Sequence, residues 1–265
     1  MSLNGGGGEV LVETCPVEIF DTKPVRGSRP VLTIVQRVRR LLGSTLAALL
    51  LSGVAQAADP WEYWPEVNLF KKLGPTTRLY LDAAYSKGKE SEVRALDIAG
   101  YFDLTLKPVL LPALEKKDWE EKKYLWARVG YDHISKAGPQ GRSTPEDRGI
   151  LALQARAYLP VEVLVETRAR ADLRWIGGEY STRYRLRLEV NRDFDVGGHV
   201  VTPYVQAEAF YDTRYDGWAR QLYQVGAEVR VTDHFRVEPS LARQVDRLPV
   251  RSGLYAIALV AKLYY

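Results

Sequence analysis

The sequence predicts an all-β fold: a transmembrane, antiparallel, up-and-down β-barrel of ten to twelve strands, preceded by a cleavable signal peptide. Three observations indicate this fold. Long segments alternate between apolar and charged residues, a short apolar segment follows a basic cluster, and the chain ends on an aromatic residue.

The 37 Lys and Arg residues are nearly balanced by 33 Asp and Glu residues. No nucleic-acid partner is expected, because such proteins carry clusters of unpaired basic residues.

The predicted signal peptide occupies residues 37–57. It holds three arginines, then the apolar segment Leu41–Val54, then small residues that end at Ala57. This order is typical of a secretory signal that is cleaved after Ala57. A membrane anchor is the alternative, but about 14 helical residues at ~1.5 Å each are too short for a ~30 Å hydrocarbon core.

Residues 1–36 precede this signal, although signals normally begin near the start of a chain. Their Gly-, Pro- and Arg-rich composition predicts a disordered prefix or a misplaced start. The barrel is predicted to occupy residues 58–265. Cys15, the one Cys of the sequence, lies in the prefix. The exported part would therefore hold together without disulfides.

The clearest strand signal is the segment Val161–Ile176. Its odd positions are mostly apolar and its even positions mostly charged, as expected when side chains of a strand point to opposite faces in turn. At about 16 residues it is longer than the ~5–6 typical of soluble proteins. Similar alternation occurs, in chain order, around Leu79–Tyr85, Leu96–Leu104, Leu125–Tyr131, Leu151–Ala157, Tyr184–Val190, Val201–Ala209 and Tyr223–Val231.

Such strands fit either a soluble sandwich or a membrane barrel, and three features favour the barrel. The strands exceed the ~9–11 residues that cross a bilayer. The connections between the predicted strands alternate between short and long, as in outer-membrane barrels. Aromatic residues gather near strand ends, where headgroups meet hydrocarbon. These aromatic residues are Trp61, Trp64, Trp175, Tyr211, Tyr215 and Trp218. The expected location is the bacterial outer membrane.

The last strand carries the strongest single signal. A terminal aromatic residue is preceded by apolar residues at every second position, which resembles the assembly signal of bacterial outer-membrane barrels. The expected partner is therefore the barrel-assembly machinery. The residues of this signal are Tyr255, Ile257, Leu259, Leu263 and Tyr265.

A single-chain bacterial barrel with both termini in the periplasm needs an even number of strands. Ten are expected if the segment Trp61–Leu73 does not cross fully. Twelve are expected if a strand is hidden in Lys107–Lys123, although the prolines and charges of this segment suggest a periplasmic excursion. Eight and sixteen strands are rejected.

The charged faces predict a lumen that is braced by Arg–carboxylate pairs, because the guanidinium fork suits paired carboxylates. The protein would then be mainly structural. A narrow pore that favours small anionic solutes is the alternative, since arginines outnumber acids on two neighbouring strands. The expected lumen-lining residues are Arg168, Arg170, Arg174, Arg183, Arg185, Arg187, Glu162, Glu166, Glu189, Glu208, Glu228 and Arg230.

A second alternative is an enzyme, although no catalytic residue is favoured. His133 and Ser135 share the lipid-facing side of one strand at the outer rim, and Asp147 begins the next strand with the same facing. A nucleophile, a base and an orienting carboxylate form an acyl-transfer triad. The arrangement resembles outer-membrane phospholipase A and lipid A deacylase, which implies a lipid esterase. Ordinary solvation of a loop mouth is the simpler interpretation.

Most of the region Trp61–Tyr265 resembles an uncharacterised outer-membrane β-barrel family of Gram-negative bacteria, a domain of unknown function. The resemblance implies an outer-membrane barrel and no established activity. It also weakens the enzyme interpretation, because the segment around Asp147 fits the family pattern. The segments that carry the resemblance are Glu146–Arg148, Thr167–Arg170, Arg183–Arg187, Pro203–Val205 and Glu208–Phe210.

No cofactor or metal is expected, because the sequence has no Gly-rich phosphate loop and no ligand cluster with metal spacing. The remaining expected partners are outer-membrane lipids and lipopolysaccharide, the latter against basic loop residues such as Arg142.

Overall fold

A computed structural model of the chain describes residues 59–88, 94–106, 125–137, 145–159 and 162–265. Their secondary structure is β-sheet joined by turns. The strands are β1 Trp61–Lys72, β2 Thr77–Gly88, β3 Arg94–Leu106, β4 Leu125–Ala137, β5 Glu146–Leu159, β6 Val163–Ile176, β7 Glu179–Asn191, β8 Phe194–Val196, β9 His199–Asp212, β10 Gly217–Arg230, β11 Phe235–Asp246 and β12 Ser252–Tyr264.

Eleven long strands form one closed barrel in this part of the chain. Consecutive long strands pair antiparallel, and β8 adds a three-residue hairpin beside β9. The barrel closes between β1 and β12, which pair parallel from Trp61 opposite Tyr255 to Phe70 opposite Tyr264.

The expectation of an even strand count is therefore wrong. Parallel strands form a regular hydrogen-bond ladder of their own, so an odd number of alternating strands can close when the first and last run the same way. The segment at Trp61 forms a full strand, and the two ends of the barrel chain lie at opposite rims. The predicted prefix 1–36, the signal 37–57 and the candidate strand or excursion at 107–123 lie outside the described residues.

We name the two ends of the barrel by residues that lie there. The Trp61 rim is where β1 and β12 begin, and the Tyr265 rim is where they end. Residues 138–145 separate β4 from β5 in the sequence, and the adjoining ends of these strands lie at the Trp61 rim. Residues 107–124 separate β3 from β4, whose adjoining ends lie at the Tyr265 rim. Short and long connections are thus not separated between the rims as expected, and connection length does not tell the rims apart.

Each long strand presents an apolar face outward and a mostly polar face inward. Leu81, Ile98, Val129 and Leu151 remain about half exposed on the outside. Inward-facing Asp103, Asp132, Glu146 and Asp172 are almost fully buried. The charged residues thus occupy the interior, which is the reverse of a soluble fold. The outer apolar band suits a hydrocarbon environment.

No helix among the described residues has the length and apolar character needed to cross a membrane.

Candidate functional site

The most buried ion pairs lie inside the barrel, on the side of the Trp61 rim. Arg174 on β6 contacts Glu146 on β5 through Nε at 2.5 Å and Asp212 on β9 through Nη1 at 2.5 Å. Arg148 also binds Glu146, at 2.7 Å, and Arg183 binds Asp212 at 2.9 Å. Glu146 and Asp212 have no exposed surface. Arg174 therefore links strands on both sides of β6 and reaches past β7.

A second cluster occupies the middle of the charged wall. Glu208 on β9 accepts hydrogen bonds from Arg168 on β6 and Arg185 on β7, both at 2.9 Å. Glu166 on β6 binds Arg187 on β7 at 2.7 Å and also pairs with Arg156 on β5. Each carboxylate is thus held by arginines of two different strands.

The register explains why these carboxylates are needed. Arg168 lies directly opposite Arg187, and Arg170 lies opposite Arg185. Like charges in these positions repel. Glu208 binds both Arg168 and Arg185, so its negative charge offsets the repulsion between the arginines of β6 and β7.

An aromatic ladder lines the interior near the Tyr265 rim. The rings of Tyr264, Phe70, Tyr80 and Tyr101 stack in that order on β12, β1, β2 and β3, with centroids 4.6 to 4.9 Å apart. Arg128 lies over Tyr80 and Tyr101 at 4.5 and 5.0 Å. The ladder thus crosses the parallel seam between β1 and β12, where stacking adds contacts beyond the backbone ladder.

Two further clusters of ion pairs lie on the two sides of the seam between β1 and β12. Arg78 and Arg128 both bind the buried Asp103 at 2.6 Å. On the other side of the seam, Lys262 of β12 and Arg236 of β11 each bind Glu228 of β10 at 2.7 Å.

A polar cavity of about 580 Å³ lies between these clusters. Of the twelve lumen residues expected from the sequence, all but Arg174 and Arg183 line it, and Glu162 does so from the turn before β6. Three acidic residues, Asp82, Asp97 and Asp132, each place a buried oxygen without a hydrogen-bond partner there. No group of three or more potential ligands among the described residues is arranged to hold a metal ion.

Sequence reasoning missed Glu146, Asp212 and Lys262 as interior residues. Strand parity could have found them. Glu146 has the parity of Arg148, Asp212 has the parity of Glu208, and Lys262 is two residues from the terminal aromatic pair.

A separate polar group lies on the outer face, near the Trp61 rim. His133 of β4 pairs directly with Asp147 of β5, and Nδ1 of His133 lies 2.8 Å from Oδ1 of Asp147. The hydroxyl of Tyr131 donates to the same oxygen. Ser135 lies two residues beyond His133 on the same face and is exposed. Within the described strand β4, no hydrogen bond joins Ser135 to His133.

The residues expected to form the assembly signal lie on β12 and at its end. Ile257 and Leu259 are about half exposed on the outer face. Tyr255 stacks on Trp61 at 5.2 Å, and Tyr265 stacks on His234 at 6.3 Å. The basic loop residue Arg142 lies outside the described residues.

Among solved structures, the chain is similar to the β domain of the Bordetella autotransporter Brka, known from a crystal structure. The two are 16% identical with a TM-score of 0.44, and the match covers 69% of this chain and 82% of the other. No curated protein matches the chain.

One family model matches residues 61–252, the range from the first strand to the start of the last. Its description is "Protein of unknown function (DUF2490)". The matched range includes the arginines and carboxylates of the interior clusters at β5, β6, β7 and β9. The chain, an outer-membrane-type β-barrel, therefore belongs to this family of proteins of unknown function.

Proposed function

We propose that the protein is a structural component of the bacterial outer membrane, a barrel whose lumen is closed by ion pairs. The observation that carries this proposal is the position of Arg174, which binds carboxylates of β5 and β9 at 2.5 Å in the barrel interior. A path for ions through the barrel would have to pass this cluster and the second cluster, around Glu208, which lies nearer the Tyr265 rim.

The energetics favour a closed and rigid interior. Charges removed from water need several partners to offset the loss of hydration. Glu146, Asp212 and Glu208 each have two arginine partners. The network fixes the relative positions of strands more than it adds net stability.

The charge balance of the interior argues against selection of anions. Along the described strands, inward-facing Arg and Lys residues are nearly equal in number to inward-facing Asp and Glu residues. A lumen of this kind has no net field that concentrates solutes of one sign. A narrow pore that favours anions is therefore the alternative that recordings in planar bilayers must exclude.

The proposed partners of the protein follow from its apolar outer face and its C-terminal strand. Its apolar band would contact outer-membrane lipids, and the C-terminal strand would be recognised by the barrel-assembly machinery. Lipopolysaccharide would bind basic residues such as Arg142. The Trp61 rim would face outward, with the C-terminal strand ending on the periplasmic side.

Single-channel recording in planar bilayers tests the proposal. The protein, purified from outer membranes of cells expressing the full chain, is compared with Arg168→Ser/Arg187→Ser, which removes two arginines from the middle clusters. We expect no steady current from the wild type and cation-selective steps from the variant, because Glu208 and Glu166 lose partners. Thr167→Ala on the outer face is the matched control and should stay silent.

Folding of each sample is checked by its altered gel migration without heating. A steady, anion-selective current from the folded wild type would refute the closed lumen and favour the pore. A folded variant that stays silent although it inserts would show that these ion pairs do not close the barrel.

A further inference from the structure

The outer-face group at the Trp61 rim has no role in the closed lumen. We propose that Ser135, His133 and Asp147 form a hydrolytic site for the carboxylic esters of membrane lipids. Ser135 is the nucleophile, His133 the general base, and Asp147 the positioning residue. This activity is independent of whether the lumen conducts.

The pair of His133 and Asp147 has the geometry that a base needs. The register places the two residues opposite each other, and Oδ1 of Asp147 is 2.8 Å from Nδ1 of His133. A carboxylate at this distance holds the proton on Nδ1 and leaves Nε2 free to accept a proton. Tyr131 donates to the same carboxylate, so the orientation of Asp147 is fixed from two sides.

The position of Ser135 fits the nucleophile. Residues two apart on a strand share a face and lie about 6–7 Å apart along it. A serine hydroxyl and the far nitrogen of an imidazole can close that gap by side-chain rotation. Catalytic hydrogen bonds are often long before substrate binds. The exposed Ser135 is open to a substrate from the membrane side.

A purely structural role explains this group poorly. The side chains of His133 and Asp147 are 45% and 44% exposed. Ion pairs with this exposure contribute only about 0–1 kcal/mol to stability. The interior clusters already join β4 to β5 through Asp132 and Arg148. The outer pair is thus not needed to hold these strands together.

The surroundings of the group identify a lipid as substrate. Val129 and Leu151 lie on the same outer face, further from the rim, and are 52% and 51% exposed. Trp175 pairs with Asp147 from the next strand and marks the level of the headgroups. An acyl chain would run along the apolar band while its ester lies at the level of Ser135.

Arg94 supplies a positive charge on the neighbouring strand, at a position diagonal to Ser135. It lies on β3 opposite Ala137, two residues beyond Leu96, the partner of Ser135, and it is exposed on the outer face. A cation at this place would stabilise the oxyanion that develops during acyl transfer, or bind an anionic headgroup. It makes Arg94 a candidate binding residue of the same site.

The reaction balances with water as the second reactant. The Ser135 hydroxyl oxygen attacks the ester carbonyl carbon while Nε2 of His133 takes its proton. The bond from carbon to the alcohol oxygen breaks, and the alcohol leaves with that proton. Water then attacks the acyl-serine and gives a proton to His133, which returns it to Ser135 as the fatty acid departs.

The test uses protein purified in detergent from outer membranes of cells expressing the full chain. One arm supplies mixed micelles of phosphatidylethanolamine and the other supplies purified lipopolysaccharide. Released fatty acid is measured by mass spectrometry. Release in only one arm identifies which lipid provides the ester.

We expect Ser135→Ala and His133→Ala to lower the rate by about 1,000-fold. Ser252→Ala, an exposed serine at the same rim, is the control and should keep the wild-type rate. A long-chain fluorophosphonate should label Ser135 and fail to label Ser135→Ala. Asp147→Asn should lower kcat with little change in KM, and Asp147→Glu should recover part of the rate, because a carboxylate orients the imidazole.

Three results would overturn the site. These are no fatty acid release in either arm from folded wild-type protein, an unchanged rate in Ser135→Ala, or a fluorophosphonate adduct elsewhere than on Ser135. None of these bears on the closed lumen, because the bilayer recordings vary none of Ser135, His133 and Asp147.

Discussion

Arginine is the main cation of the barrel interior, and its shape is the reason. Arg174 reaches Glu146 with Nε and Asp212 with Nη1, so one side chain serves two buried carboxylates. A lysine offers a single charged nitrogen and could not span both in this way. Lys262, which binds Glu228 and Glu238, lies between two carboxylates that are already close together.

Replacement of Arg174 should destabilise the barrel strongly. In Arg174→Leu, the fully buried Asp212 loses one of its two cationic partners and the fully buried Glu146 keeps only Arg148 and Lys136. We expect the free energy of unfolding to fall by about 3 kcal/mol, since breaking a buried pair leaves charge uncompensated. Urea titration in detergent, followed by gel migration without heating, measures the change.

Arg214→Leu is the matched control for this substitution. Arg214 lies 3.7 Å from Glu179, whose side chain is 83% exposed. The expected loss is below about 1 kcal/mol. Equal losses in the two variants would mean that the interior pairs contribute no more than surface pairs.

A glycine of β4 lies opposite a tyrosine of β3 and leaves room for its ring. Gly130 pairs with Tyr101, whose ring covers it. A Cβ at Gly130 would meet this ring and, at 2.6 Å, the carbonyl oxygen of Gly100. The aromatic ladder thus depends on the absence of a side chain at this position.

We expect Gly130→Ala to lower the free energy of unfolding by about 1–3 kcal/mol through overpacking. Gly149→Ala is the control, because a Cβ there meets its nearest neighbour, Leu173, at 3.7 Å. It should change stability by less than about 1 kcal/mol. Thermal unfolding followed by circular dichroism compares them. A Gly130→Ala protein as stable as Gly149→Ala would contradict the described packing of Tyr101.

The seam between β1 and β12 can be tested by cross-linking. Val67 lies opposite Ala261, and both face outward. Adjacent strands are ~4.8 Å apart, so Val67→Cys/Ala261→Cys should form a disulfide on oxidation. The predicted barrel region has no cysteine of its own, and the product is detected by its gel mobility.

Val67→Cys/Ile257→Cys is the control pair. Ile257 lies opposite Tyr63, about 13 Å along the strand from the level of Val67. This pair should not cross-link. Cross-linking of the control pair instead of the first pair would contradict the parallel register.

Strand positions and strand faces could be predicted from the sequence because both are local properties. Alternation along Val163–Ile176 gives the strand and separates Arg168 and Arg170 from Thr167 and Ala169. The number of strands could not be predicted in this way. Whether β1 and β12 pair parallel depends on two segments nearly 200 residues apart. The sequence of Trp61–Lys72 does not indicate whether its partner strand runs parallel or antiparallel to it.

The candidate sites were predictable to a similar degree. The common facing of His133, Ser135 and Asp147 follows from parity. The pairing of His133 with Asp147 requires the register between β4 and β5, and the connection 138–145 allows several registers. The role of Glu146 was missed because Arg174, which binds it, also binds Asp212 of β9, three strands away from β5 around the barrel.

The position of the barrel in lipid underlies all of these proposals, and cell fractionation tests it. The full chain is expressed in a Gram-negative host, and membranes are separated and washed with sodium carbonate. We expect the processed protein to stay in the outer-membrane fraction and to be released only by detergent, because its outer face exposes residues such as Leu81, Ile98 and Leu151. A processed protein that is recovered from the periplasm, soluble without detergent, would contradict this placement.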